Sequence, residues 1–333
     1  MVFISDFDIR ISDFFCYTRY MIQNTTYDLI IIGGGPAGAA AAVYSARKQL
    51  KTLIIAEEFG GQSSVSEKIF NWIGTPEISG LDLAKSFKNH VEYYKGEFLN
   101  IEVGARVENV SKNDDSSFLV KTNKGDSYQT KTVLVSSGSG RRKLTVPGAD
   151  TFDAKGIVYC ASCDGPLFSG MDVAVIGGGN EGFETAAQLL AYCKSVTVIQ
   201  RSEMFKADQI TVEKVLSNPK VTGILNAEIT EVFGDGFVQG LKYKDKSGVE
   251  QTLNVQGIFV EIGQIPNTGF VEGIVGFDDF KRIKIDPWTQ RSSVDGIWSA
   301  GDCANILYHQ NNIATGDAVK AIEDIYMWLH KKS

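Results

Sequence analysis

Apolar residues in this chain cluster in short β-branched runs, and each long run ends in glycines. Residues 29–38 read LIIIGGGPAG and residues 173–182 read VAVIGGGNEG. An Ala-rich stretch with helical spacing follows each one, Ala39 to Ala46 and Phe183 to Ala191. A second apolar run comes next in both places, TLII at 52–55 and VTVI at 196–199. Runs of four or more apolar residues bounded by glycine predict buried strands. The chain is therefore expected to hold two βαβ units. Strands alternating with helices predict an α/β fold, with parallel sheets covered by helices on both faces.

Weaker patterns surround these units. Leu83, Phe87, Val91 and Tyr94 form one helical face. Segments 117–122 and 127–136 read as antiparallel strands joined by a turn at Asn123–Gly125. Residues 227–262 read as a meander with Gly-Asp-Gly and Lys-Ser-Gly turns. Each βαβ unit is thus expected to carry its own small β insertion. The run GIWSAGDC at 296–303 predicts one more strand, ending in Gly-Asp, and a last helix is expected over roughly 316–330.

Composition narrows the class. The chain has 333 residues, of which 43% are apolar and 22% charged, too apolar for a disordered chain. A net charge of −7 without a basic tract argues against nucleic acid as a partner. LIIIGGGPAGAAAAV is broken by glycines and a proline, so no membrane span is expected. Residues 1–20 lack the basic start, apolar centre and small-residue cleavage site of a secretory signal. They are left as an unassigned extension, and a cytoplasmic location is expected. Five cysteines with a single close pair do not form a secreted disulfide framework.

The glycine spacing carries chemistry. In Gly33-x-Gly35-x-x-Gly38 the first glycine permits the tight turn, the second admits a pyrophosphate, and the third lets helix and strand pack closely. The helix N-terminus then points its N–H groups at the phosphates. Glu57, at the end of the following strand, is placed to hold ribose hydroxyls. A Gly-rich turn without ligand is the competing reading.

Gly177, Gly179 and Gly182 repeat the pattern, with a different downstream signal. The next strand ends at Gln200-Arg201-Ser202, with Lys206 close by. Arg201 and Lys206 suit a 2′-phosphate, which leans towards NADPH. Glu181 inside the turn works against any pyrophosphate by like-charge repulsion. A structural βαβ unit that binds nicotinamide poorly therefore stays open.

Cys160-Ala161-Ser162-Cys163-Asp164 brings two thiols within reach of each other, and such a pair can lower one thiol pKa. Zinc would need two further ligands, which three scattered histidines do not supply, so no metal is expected. A coincidental pair of buried thiols remains an alternative. Asp164 could move a proton during thiol–disulfide exchange, or cap a helix. Cys193 and Cys303 read as core residues, and His309 as a surface or packing residue.

Two dinucleotide loops flanking C-x-x-C-D-G, with a terminal Gly-Asp, resemble the low-molecular-weight thioredoxin reductase family, class II of the pyridine nucleotide-disulphide oxidoreductases. The phrasing is closer still to the flavoprotein core of the alkyl hydroperoxide reductase reductase subunit. The carrying segments are AAAVYSARK (40–48), EEFGGQ (57–62), YCASCDGPLF (159–168), VAVIGGGN (173–180), FKADQ (205–209), GIFVEIGQIPNT (257–268) and AGDC with IATG (300–316). That flavoprotein also has an N-terminal thioredoxin-like module. Only about twenty residues precede the first strand here, so a stand-alone thioredoxin reductase architecture is expected.

The resemblance implies two Rossmann-like domains. The first is a discontinuous FAD-binding domain, 21–143 with 271–333. The second is an NAD(P)-binding domain, 144–270, that carries the redox disulfide. It maps FAD contacts onto Gly33, Gly35, Pro36, Ala37, Gly38, Glu57, Gly61, Gln62, Asn71, Gly301, Asp302 and Gln310. Nicotinamide contacts fall on Gly177, Gly179, Asn180, Gly182, Arg201 and Lys206. By the same match Cys163 faces the flavin, Cys160 attacks the partner's disulfide, and Asp164 is the acid/base. Electrons would pass from NADPH through FAD and the Cys160–Cys163 pair to a thioredoxin-like protein. The inserted domain would turn on a hinge near 143–148 and 264–270, and a homodimer is expected. Gln200, Ser202 and Glu181 depart from the family pattern. They leave NADH or ferredoxin as alternative donors, in a reductase serving a peroxiredoxin system. A dithiol oxidase using O₂, and a flavin-bound sensor or scaffold with negligible turnover, are the other expectations the motifs allow.

Overall fold

The computed structural model describes residues 26–66 and 68–331, so the extension at 1–20 lies outside the described residues. In chain order the elements are β1 (Thr26–Gly34), α1 (Pro36–Arg47), β2 (Thr52–Phe59), α2 (Gly80–Tyr93), β3 (Leu99–Val103), β4 (Val107–Lys112), β5 (Phe118–Thr122), β6 (Ser127–Val135), β7 (Ser139–Arg141) and β8 (Ile157–Val158). They continue with α3 (Ala161–Asp164), β9 (Asp172–Ile176), α4 (Asn180–Leu189), β10 (Ser195–Ile199), α5 (Gln209–Leu216), β11 (Val221–Ile224) and β12 (Glu228–Asp235). The last are β13 (Phe237–Lys244), β14 (Glu250–Asn254), β15 (Gly257–Val260), β16 (Gln264–Pro266), β17 (Ile297–Ser299) and α6 (Asn311–Lys331).

The chain forms two compact units. Of the described residues, one takes 26–63, Leu83–Ser139 and 266–331; the other takes those of Ser64–Asp82 and Gly140–Ile265. The first unit is built on a seven-stranded sheet of order β3-β2-β1-β6-β5-β4, with β17 also on β6. Its β1, β2, β3, β6 and β17 pair in parallel, while β4 and β5 extend the edge antiparallel. Leu29, Ile30 and Ile31 of β1 are fully buried. That is what an apolar run in a parallel sheet covered on both faces requires. Each such side chain contributes roughly 1.5–3 kcal/mol on burial. Tyr27, Phe118, Tyr128, Val133 and Ile297 continue this core.

The second unit holds a five-stranded sheet of order β11-β10-β9-β15-β8 and a separate three-stranded meander, β12-β13-β14. All pairings in the larger sheet are parallel. The stretch 227–262, expected as one meander, therefore splits. The strands within 228–254 are mostly exposed or half-buried and pair antiparallel, but Gly257–Val260 is buried at every position and joins the parallel sheet. A continuously buried apolar run is the mark of a central parallel strand. The final helix starts at Asn311, about one turn before the expected boundary. The two segments that link the units, β7 and β16, pair with each other.

Candidate functional site

The two Gly-rich loops repeat one steric design. Gly33 has φ +115°, and a Cβ there would lie 2.3 Å from the Ser136 carbonyl oxygen. A Cβ on Gly38 would lie 1.8 Å from the Gly33 carbonyl oxygen, whereas one on Gly35 would meet nothing within 4 Å. In the second loop Gly177 has φ +125° and a Cβ 2.0 Å from the Glu261 carbonyl oxygen. A Cβ on Gly182 would clash with the Gly177 carbonyl oxygen at 1.9 Å, and Gly179 again faces open space. The outer glycines are thus demanded by the fold itself. The middle ones leave room for a ligand to approach the backbone. Gly35 and Gly179 are also the N-caps of α1 and α4 and bring no capping side chain, so the first-turn N–H groups face that space.

In the first unit the motifs dispersed along the chain converge on this loop. A Cβ on Gly61 would contact the Gly35 Cα at 3.4 Å. One on Gly301 would touch Ala37 of α1 and Ala314 of α6 at 3.5 and 3.3 Å. Gly60 donates its N–H to the Gly34 carbonyl oxygen at 3.0 Å. Gln62 donates from Nε2 to the Ser139 carbonyl oxygen, and Ser63 Oγ donates to Asn311 Oδ1 at 2.9 Å, beside Gln310. Pro36 and Ala37 form the first turn of α1, and Glu57 lies exposed near the end of β2. Asp302, half-buried, meets His309 Nδ1 at 3.3 Å. His309, expected as a surface or packing residue, thus joins the Gly301-Asp302 turn; its spacing of seven from Asp302 in a loop carries no periodic signal. Asn71 belongs to the segment Ser64–Asp82, which groups with the second unit.

The residues of the second unit are arranged differently at the strand end. Gln200 is buried, accepting at Oε1 from the Gly178 N–H at 3.2 Å and donating from Nε2 to Ser202 Oγ at 2.8 Å. The Gly178 carbonyl oxygen accepts from the Lys206 N–H at 2.7 Å, and Asn180 Oδ1 accepts from the Asp208 N–H at 2.9 Å. The loop after β10 is therefore stitched to the Gly-rich turn. Arg201 and Lys206 are both exposed, while Glu181 is half-buried in the first turn of α4.

Cys160 and Cys163 are joined by a disulfide with a Cα–Cα separation of 5.4 Å. Both are half-buried. Cys160 caps α3, its sulfur accepting from the Cys163 N–H at 3.2 Å. Ser162 Oγ donates to Gln188 Oε1 on α4 at 2.8 Å, fixing the disulfide turn to the dinucleotide helix of the same unit. Tyr159 donates its hydroxyl to Asp153 at 3.0 Å, and Lys143 pairs with Asp153. Burial, then the Asp153 carboxylate, push the Tyr159 hydroxyl above its ordinary range. Asp164 closes α3 and is buried. Cys193 and Cys303 are buried free thiols, and burial pushes Cys193 up to about 11, which keeps it inert. Among the described residues no cluster of ligating side chains could hold a metal ion, and no helix is long and apolar enough to cross a membrane.

A further group carries no motif in the sequence. Glu261, directly after β15, buries its carboxylate. It accepts from Thr185 Oγ at 2.8 Å and lies 3.5 Å from Arg141 Nη1. An acid that breaks an apolar strand before Gly263 is the available signal.

Each unit thus carries a Gly-rich loop of dinucleotide-binding geometry, and the second unit also carries the disulfide. The family model for pyridine nucleotide-disulphide oxidoreductases matches residues 27–321, and the chain belongs to that family. Family membership implies FAD and a pyridine nucleotide. The open faces of Gly35 and Gly179 fit such groups. Among solved structures the chain resembles thioredoxin reductase from Streptococcus pyogenes MGAS5005, with 32% identity and a TM-score of 0.83 over 92% of this chain and 99% of that one. It also resembles thioredoxin reductase from Giardia duodenalis, with 30% identity and a TM-score of 0.84 over 92% and 100%. Curated relatives include an alkyl hydroperoxide reductase subunit of Escherichia coli K12, 41% identical over 90% of this chain and 57% of that protein. A Bacillus subtilis protein named NADH dehydrogenase is 40% identical over 89% and 57%. The chain spans somewhat over half the length of these curated relatives.

Proposed function

We propose that this protein is a thioredoxin-disulfide reductase, passing electrons from NADPH to a thioredoxin-like protein through FAD and the Cys160–Cys163 pair. The observation that carries the reading is a half-buried C-x-x-C disulfide anchored to the helix of a second dinucleotide loop. Gly33, Gly35, Pro36, Ala37, Gly38, Glu57, Gly61, Gln62, Gly301, Asp302 and Gln310 would hold FAD, with Asn71 contributed from its own segment. Gly177, Gly179, Asn180, Gly182, Arg201 and Lys206 would hold the nicotinamide dinucleotide. When bound, FAD supplies the two-electron chemistry that couples a nicotinamide to a disulfide.

The cysteines do the rest. Two electrons break the Cys160–Cys163 bond, and two protons complete the dithiol. Cys160, as thiolate, attacks one sulfur of the partner's disulfide and forms a mixed disulfide. Cys163 then attacks Cys160, which restores the pair and releases the partner as a dithiol. Asp164 takes the proton from the attacking thiol and returns one to the leaving sulfur. The thioredoxin reductase structures above, and the alkyl hydroperoxide reductase relatives, support a redox protein as the acceptor. The resemblance to thioredoxin reductases also supports a homodimer.

NADH is the second reading of the donor. Gln200 spends its amide inside the loop, which leaves Arg201 and Lys206 to meet a 2′-phosphate. Against those two cations stands the name of the Bacillus relative, NADH dehydrogenase, which supports NADH. An anaerobic titration tests both. Bleaching of the flavin by NADPH, and reoxidation by oxidised thioredoxin, is the expected result. Bleaching by NADH alone selects the second donor. Silence towards both nucleotides, with bleaching by reduced ferredoxin or by a small dithiol, would overturn the nicotinamide half.

A further inference from the structure

The parallel sheet of the second unit changes direction at β9. The chain runs from β9 outward through β10 and β11 and returns on the other side as β15. Ligands of open α/β sheets sit beyond the carboxyl ends of the strands at such a switch point. Here those ends are Ile176 and Val260, so the crevice is bounded by Gly177 and Glu261. The two touch: the Glu261 carbonyl oxygen fills the space a Cβ on Gly177 would need, and the Glu261 N–H donates to the Ile176 carbonyl oxygen at 2.7 Å.

The Glu261 side chain is held from two sides. Thr185 of α4 donates to one carboxylate oxygen, and Arg141 of β7 lies by the other. Glu181 and Glu184 of α4 add like charge. An anionic pyrophosphate at the Gly-rich turn would enter a crevice that already sets these carboxylates against the Arg141 cation. Like charges in a poorly solvated site are costly, and the cheapest relief is to neutralise the carboxylate that water reaches least.

We infer that Glu261 is a positioning residue of the nicotinamide site, taking up a proton from solvent when the dinucleotide binds. The inference rests on reading the second Gly-rich loop as a dinucleotide site. Burial, against the opposing pull of Arg141 and Thr185, pushes Glu261 up to about 7, so the proton is available at neutral pH. Protonated, Glu261 keeps one oxygen for Thr185 and loosens its hold on Arg141, freeing that cation towards the incoming anion. Binding and protonation are reciprocal, so a dinucleotide that favours the acid form is bound more tightly at lower pH.

The test is calorimetric titration of the FAD-loaded protein, disulfide intact, with NADP⁺ and with NAD⁺ between pH 6.5 and 8.5. Two buffers of different ionisation enthalpy count the protons. The expected result is uptake of roughly half a proton near pH 7.5, with affinity falling up to about tenfold across the range. Glu261→Gln, which keeps the Thr185 hydrogen bond, should abolish both the uptake and the pH dependence. Arg141→Gln should move the midpoint to higher pH, because it removes the cation that favours the charged form. Binding by the parent without proton uptake, or uptake that survives in Glu261→Gln, overturns the inference and leaves the nicotinamide reading standing. No binding of either dinucleotide at any pH overturns both.

Discussion

Gln200 is hydrogen-bonded through Oε1 to the backbone N–H of Gly178 at 3.2 Å. The residue that follows β10 is therefore part of the Gly-rich turn rather than a free reader of the ribose beyond it. Its Nε2 donates to Ser202 Oγ, so the amide is used from both ends. Under the proposed function, discrimination between the two nicotinamide dinucleotides then falls on Arg201 and Lys206, both of them exposed. Replacing both with alanine should weaken NADPH about 10- to 100-fold, the worth of one or two charge-assisted hydrogen bonds, and leave NADH nearly unchanged. Stopped-flow bleaching with each nucleotide measures the ratio. An unchanged ratio would place the 2′-position elsewhere.

The glycines separate stability from binding. Gly35 and Gly179 have φ of −71° and −90° and open space where a Cβ would stand. Gly35→Ala and Gly179→Ala should fold with melting temperatures within a few degrees of the parent. The first should lose FAD retention, and the second nicotinamide affinity, by about tenfold or more, because a methyl group occupies the path of the pyrophosphate. Gly38→Ala and Gly182→Ala drive a Cβ into a carbonyl oxygen and should lose structure first. Thermal melts and flavin absorbance on the same four variants settle the order. If Gly35→Ala kept its flavin as well as the parent, the cofactor would not lie against that loop.

Much of this architecture is legible in the sequence because it rests on repetition. LIIIGGGPAG and VAVIGGGNEG each encode strand, turn and helix within ten residues, and both fold as that pattern predicts. Such units are local: the apolar run, the glycine with positive φ and the Ala-rich face lie in sequence order. Contacts across the chain carry no such mark. Gly61 against Gly35, Gly301 against Ala37 and His309 against Asp302 join loops that no periodicity relates. The strand at 257–260 hides in an apparent meander because its turn signals match those before it; its unbroken burial shows only in three dimensions. Glu261 and Thr185 lie 76 positions apart, and only the crossover of a parallel sheet brings them together.

The two sulfurs should be separable by function. Under the proposed roles, Cys163→Ser leaves flavin reduction by the nicotinamide intact and abolishes reduction of the protein partner. Cys160→Ser leaves a lone Cys163 thiol that cannot reach a partner's disulfide in the same way. Transfer to thioredoxin should fall below roughly a thousandth of the parent rate in both variants, since neither can complete the exchange. Anaerobic bleaching and a partner-reduction assay read the two halves separately. Loss of flavin bleaching in Cys163→Ser would count against the assignment of roles, because the hydride step needs no sulfur.

Glu261 also couples folding to pH. Its carboxyl titrates at about 7 in the folded chain against an ordinary value of 4.5, with burial as the main cause. A raised acid pKa means that the folded state binds the proton more tightly than the unfolded one. The corresponding stabilisation is full below pH 4.5 and is lost as pH rises towards 7. The difference is on the order of 3 kcal/mol. Glu261→Gln removes the titration while keeping an oxygen to accept from Thr185. The variant should therefore melt several degrees above the parent at pH 8 and match it more closely at pH 5. Denaturant unfolding at the two pH values, monitored by far-UV circular dichroism, measures the gap. A parent more stable than the variant at pH 8 would mean that the Arg141 ion pair outweighs the cost of burying the charge.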